Sequence, residues 1–133
     1  GIVFQQFNLI PSLTVAANIA FQARLAGRLD TGWIDSIVER IGLSDHLTKY
    51  PEALSGGQQQ RVAIARTLAC RPKLVLADEP TGNLDEDNSQ VVLRLFLEMA
   101  EEAGTTVLMV THSTALADHM QRRLHLSHGR INA

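Results

Sequence analysis

The sequence predicts an α/β fold built on a parallel sheet with a helical insertion, and three observations carry that prediction. First, two short apolar runs, KLVLA at 73–77 and TTVLMV at 105–110, have the length and composition of buried strands. Second, the stretch between them places Val92, Leu95, Phe96 and Met99 at helical spacing. Strand, helix and strand in that order imply parallel pairing through crossovers. Third, apolar spacing in most of the first half is helical, so that segment reads as an all-helical insertion between a first strand and KLVLA.

Each element has a local reason. GIVF at residues 1–4 reads as a short buried strand, and Pro11 keeps the following QQFNLIPSL in a loop. Thr14 is placed to cap a helix through about Leu25, which Gly27 closes. A second helix runs from about Gly32 to Ile41 on the face Ile34, Ile37, Val38 and Ile41, and Gly42 ends it. LSDHLTKYPEA reads as one more short helix and a turn. Ser55 followed by Gln58 fits a capping box for a helix running through Val62, Ala63, Ala65, Ala69 and Cys70 until Pro72 stops it. Asp85 caps the long helix, with Glu86 and Asp87 in the first turn where the helix dipole favours them, and Gly104 closes it. A short helix follows TTVLMV, and RLHLSHGRIN reads as a hairpin turning at His128 and Gly129.

Composition narrows the function classes. The 133 residues are 45% hydrophobic and 20% charged, as in an ordinary globular domain or a piece of one. A net charge of −2, with Arg122 and Arg123 the one adjacent basic pair, argues against a nucleic-acid grip. No apolar run approaches the ~20 residues that span a bilayer, and the first residues lack the layout of a signal peptide. The single cysteine, Cys70, cannot form an internal disulfide and reads as packing.

Chemistry gathers where the strands end. Gln5 follows the first strand, Asp78 and Glu79 the second, and His112 the third. Each has a plain alternative: a loop residue, a turn cap, a structural histidine. Parallel strands, however, deliver their carboxyl ends to one edge, where open sheets bind ligands. A carboxylate directly after a strand can hold Mg²⁺, and a second beside it can deprotonate a water. An amide and an imidazole can position a phosphate, and phosphoryl transfer depends mostly on positioning and charge neutralisation. The octet LSGGQQQR at 54–61 has two readings of its own. Ser55 caps the helix, while Gly56 and Gly57 strip side chains from its first turn and leave N–H groups open to an anion.

Taken together, these motifs resemble the nucleotide-binding domain of an ABC transporter ATPase. VFQQ is similar to the Q-loop, LSGGQQQR to the signature, LVLADEP to the Walker B strand with its glutamate, GNLD to the D-loop and THS to the H-loop. They follow in family order across essentially the whole chain, 1–133, and the wording of FNLIPSLTVAANI and ADEPTGNLD is similar to the lipoprotein-releasing, macrolide-exporting and FtsE-like group. The resemblance implies a partial P-loop NTPase core, with the Q-loop, helical subdomain and signature helix at about 7–70 and the Walker B and H-loop part at about 71–133. It implies ATP and Mg²⁺ as ligands: Asp78 and Gln5 at the metal, Glu79 as general base, and His112 and Gln5 at the terminal phosphate. Ser55, Gly56, Gly57 and Gln58 would bind ATP carried by a second ATPase subunit, and Asp85 would communicate across that dimer. Phe7, Leu9 and Ile10 would help form the groove for a membrane permease, placing the protein at the cytoplasmic face, peripheral to the membrane.

One family motif has no counterpart here. No G-x-x-x-x-G-K-[ST] loop occurs, and the two lysines, Lys49 and Lys73, do not follow glycines. The family carries that loop upstream of the Q-loop, so the chain is expected to begin inside the domain and, alone, neither to hold ATP tightly nor to hydrolyse it. The missing strand would lie between TVLMV and the hairpin, so the hairpin is expected either to collapse onto TVLMV or to leave an edge for self-association. Two alternative functions stay open: a soluble ABC-type ATPase acting on nucleic acid or ribosomes, and a non-catalytic interaction module.

Overall fold

The computed structural model describes residues 1–132. Three parallel strands, β1 (Ile2–Val3), β2 (Leu74–Asp78) and β3 (Thr106–Val110), form a sheet in that order. Ile2 pairs with Leu76, and Leu74 through Asp78 pair with Thr106 through Val110. The crossover from β1 to β2 holds the expected insertion, α1 (Val15–Leu25), α2 (Thr31–Arg40) and α3 (Gly56–Ala69). The crossover from β2 to β3 is α4 (Glu86–Glu102). A four-residue helix, α5 (Thr114–Ala117), and the antiparallel hairpin β4 (His125–Ser127) and β5 (Arg130–Asn132) complete the order.

The helices start where short polar side chains satisfy orphan N–H groups. Thr14 Oγ1 accepts from Ala17 N–H, Asp30 from Trp33 N–H, and Asp85 from Asn88 N–H. At α3 both halves of the capping box form: Gln58 N–H donates to Ser55 Oγ, and Ser55 N–H donates to Gln58 Oε1. Gly27 at φ +66° and Gly104 at φ +70° turn the chain out of α1 and α4 in the left-handed conformation that glycine adopts without a steric penalty. LSDHLTKYPEA departs from expectation, forming two 3₁₀ turns at Ser44–His46 and Pro51–Ala53 in place of an α-helix. Pro51 stands at the first position of the second turn, where its missing N–H costs nothing.

The core lies between one face of the sheet and the helices. Val3, Val75 and Ala77 are buried from the sheet side, against Ile64 and Leu68 of α3 and Phe96 and Met99 of α4. Trp33 is a packed aromatic: its indole N–H donates 2.9 Å to the Leu68 carbonyl, and the Arg71 guanidinium lies 4.4 Å over its ring. Cys70 is half-buried against the same cluster, and burial pushes its thiol pKa up.

The strands contradict their reading as fully buried. Alternate residues Ile2, Phe4, Leu74, Leu76, Leu108 and Val110 are all 42–58% exposed, because the helices of the described residues cover the other face alone. The hairpin pairs only with itself, so the expected collapse of β4–β5 onto β3 does not occur. The outer edge of β3 carries no strand among the described residues.

Candidate functional site

Because β1, β2 and β3 run parallel, their carboxyl ends bring Gln5, Asp78–Glu79 and Thr111–His112 to one edge. Asp78 is the last residue of β2, paired with Val110, and lies on the uncovered face. Its carboxylate makes no hydrogen bond or ion pair among the described residues. Glu79 turns inward instead. Its backbone has φ +43°, a left-handed conformation that costs a non-glycine residue about 1–2 kcal/mol. Tertiary bonds hold it there: Glu79 N–H donates to the Val110 carbonyl at 2.9 Å, and its own carbonyl accepts from Gly82 N–H at 3.0 Å.

The Glu79 carboxylate is anchored across the sheet. His112 N–H donates to Oε1 at 2.7 Å, and Thr111 Oγ1 donates to Oε2 at 3.2 Å. Thr111 Oγ1 in turn accepts from Ser113 N–H at 3.1 Å. The His112 ring stands 3.7 Å from Oε1, and its side chain is 98% exposed while that of Glu79 is 19% exposed. A fixed carboxylate therefore sits beside an imidazole free to reach a ligand. An open cleft of about 260 Å³ adjoins it, lined by Glu79, Thr81, Gly82, Ser89 and Ser113 among others.

Gln5 meets this site through the loop after β2. Asn83 Nδ2 donates to the Gln5 carbonyl at 2.7 Å, and the Gln5 side chain lies against Gly82, where a Cβ would stand 2.9 Å from its Nε2. The signature segment joins from the other side. Leu84 Cδ2 packs against Gly57, where a Cβ would be 3.3 Å away, and Phe7 packs near Gly56. With Ser55 Oγ committed to Gln58 N–H, the N–H groups of Gly56 and Gly57 stay outside the helical ladder, as the first donors of any α-helix do. The cap and the uncommitted N–H groups thus coexist, because Ser55 engages Gln58 N–H and leaves those of Gly56 and Gly57. Asp85 is confirmed as a cap: the Asn88 backbone N–H, then the Asn88 side-chain amide, hold its carboxyl pKa below the usual value.

Three residues to which the sequence reading gave no role organise the surroundings. Arg66 of α3, 7% exposed, donates to the carbonyls of Asn8 at 2.8 Å and Phe7 at 3.2 Å, and burial lowers its pKa. Asn18 of α1, fully buried, accepts from Ile10 N–H and donates to the carbonyls of Ile10, Leu13 and Thr14. Asn83 is the third. A buried Arg and Asn on otherwise apolar helix faces were the available signal, since such groups are retained with partners.

The donor set can be tested against a divalent cation. Among the described residues no three His, Cys, Asp or Glu side chains cluster as a protein-only metal cage. A single unpaired carboxylate at a strand end suits Mg²⁺, which takes one or two protein oxygens and fills its shell with water and phosphate. Asp78 fits that pattern.

Known proteins share this sequence and fold. A family profile described as ABC transporter matches residues 1–82. An uncharacterized ABC transporter ATP-binding protein of Mycobacterium tuberculosis is 48% identical over 134 residues, covering 98% of this chain and 54% of that protein. The lipoprotein-releasing system ATP-binding protein LolD of Rickettsia bellii is 42% identical over 135 residues, covering 99% of this chain and 61% of its own length. The chain thus spans about half the length of the first of these relatives. The dimeric post-hydrolysis structure of the ATP-binding cassette MJ0796, bound to ADP and Pi, superposes with a TM-score of 0.84 at 37% identity, over 100% of this chain and 60% of that one. The fold is that of the ABC ATPase cassette, and the chain belongs to the ABC transporter family of ATP-binding proteins.

Proposed function

We propose that this chain supplies the hydrolytic edge of an ATP-hydrolysing subunit that drives a membrane permease. The observation that carries the reading is Glu79: strained, anchored on Thr111 and His112, and adjacent to a free Asp78. In this reading Glu79 is the general base that takes a proton from the attacking water, with Thr111 and the His112 backbone orienting its carboxylate. His112 and Gln5 position the terminal phosphate through their imidazole and amide. Asp78, with Gln5, would hold Mg²⁺, which when bound neutralises charge on the phosphate oxygens.

The open N–H groups of Gly56 and Gly57, with Ser55 and Gln58, take the phosphate of an ATP carried by a second ATPase subunit, and Asp85 relays between the two. The relatives' printed names support a transport role: LolD is a lipoprotein-releasing system protein, and MetN 2 of Pseudomonas aeruginosa, 49% identical over 116 residues, is a methionine import protein. The chain matches 35% of the length of MetN 2. No helix among the described residues is long and apolar enough to cross a membrane. In this reading a permease holds the subunit at the cytoplasmic face, with residues about 7–70 as the coupling subdomain and about 71–133 as the hydrolytic part.

The test is Glu79→Gln in the full protein. Turnover should fall about 10²–10⁴-fold with ATP binding retained. Wild-type turnover in the variant would remove Glu79 as the base.

A further inference from the structure

Gln5 lies beyond a strand of just two residues, too short to fix the loop that carries it. Its segment, 5–8, is nevertheless held from two directions. On one side the Asn83 side-chain amide donates 2.7 Å to the Gln5 carbonyl, across 78 residues of sequence, while Gly82 gives the Gln5 side chain a surface with no Cβ. On the other side Arg66 forks onto the carbonyls of Phe7 and Asn8, across 59 and 58 residues. Asn8 itself has φ +51°, a left-handed backbone conformation that sits at the second grip. The grips are linked, because Leu84, next to Asn83, packs on Gly57 at the head of the helix that carries Arg66.

From this geometry we propose that Asn83 and Arg66 are positioning residues for Gln5, clamping the 5–8 segment between the loop after β2 and α3. The Gln5 amide is then presented to a phosphate only while both grips hold. Movement of either the 82–84 loop or the head of α3 reaches Gln5 directly, so a ligand seated at Gly56 and Gly57 is mechanically joined to the amide at the other end of the site. The inference rests on the proposed role of Gln5 at the terminal phosphate, and its two grips differ in how they can be tested. Arg66 is buried, and its loss endangers folding; Asn83 is exposed, and its loss does not.

The experiment uses the full protein with Asn83→Asp, an isosteric change that removes the N–H donor. Hydrogen exchange of the amides in residues 5–10, without nucleotide, should accelerate about 3- to 10-fold, as expected for losing one hydrogen bond. The kcat for ATP should fall by about the same factor, with KM within about twofold. In the Gln5→Ala background the Asn83→Asp change should cost nothing further, since its effect runs through Gln5. Gly82→Ala, whose Cβ meets the Gln5 amide, should show the same kcat loss and be suppressed by Gln5→Ala. Unchanged exchange in residues 5–10, or kcat losses that multiply in the double variant, would overturn the proposal. A silent Gln5→Ala beside an inactive Glu79→Gln would overturn it too, while leaving the general-base reading intact.

Discussion

Asn18 shows how much one side chain can organise. It closes four hydrogen bonds with the loop at residues 10–14 and is fully buried, so truncation strands backbone groups that no water reaches. Asn18→Ala should destabilise the fold by about 2–4 kcal/mol in urea unfolding, well beyond the effect of an ordinary surface change. Asp85 makes a prediction about pH. Its carboxyl pKa is lowered in the folded state, chiefly by Asn88, so the unfolded chain binds the proton first as pH falls. The stabilisation is therefore complete above the ordinary carboxylate value of about 4 and lost as pH drops through the lower folded value. Asp85→Asn keeps one capping oxygen but has no charge and no second oxygen for the Asn88 amide, so it should be less stable than wild type near neutrality, converge with it at acid pH and lose this part of the acid decline. Thermal unfolding between neutral and acid pH reads the difference. Both residues were partly legible: Asp85 by its position before a helix, Asn18 only as a polar interruption on an apolar face.

Among the elements, the helices were the most legible because their signals are local. Caps and closures act over three or four residues, and Thr14, Ser55, Asp85, Gly27 and Gly104 all act where their spacing placed them. The α2 cap, Asp30, went unread, and the helix begins at Thr31, one residue earlier than expected. Ser55→Ala should cost about 1 kcal/mol through the lost cap. Phe96→Ala, which empties a fully buried position on α4, should cost about 3–5 kcal/mol. Chemical denaturation that ranked the two equally would contradict the placement of the core between α4 and the sheet. Strands were read less well. An apolar run with no alternation announces burial on both faces, yet β2 alternates between buried and exposed and β3 between half-buried and exposed. Hydrophobicity records what a strand can bury, whereas the neighbours present decide what it does bury.

For the whole molecule, the uncovered sheet face dominates. Leu76 and Leu108 pair side by side on it, beside Ile2, and the outer edge of β3 is open among the described residues. Full burial of such a side chain is worth about 1.5–3 kcal/mol, so six half-exposed ones leave several kcal/mol of association energy unused. The 133-residue chain should therefore self-associate with concentration in sedimentation velocity and bind a hydrophobic dye. Leu76→Lys with Leu108→Lys should suppress both with little change in stability; a loss of several kcal/mol would mean that this face is covered. By itself the sequence determined the limits of α1, α3 and α4, the strand order along the chain, the motif set and hence the family, because each depends on neighbours a few residues apart. Only the tertiary structure decided the strained backbone of Glu79, its anchoring on Thr111 across 32 residues, and the grips of Asn83 and Arg66 on the Gln5 segment across 78 and 58. Those contacts join groups with no local relation, and pattern and propensity do not encode them until parallel strands bring their ends to one edge.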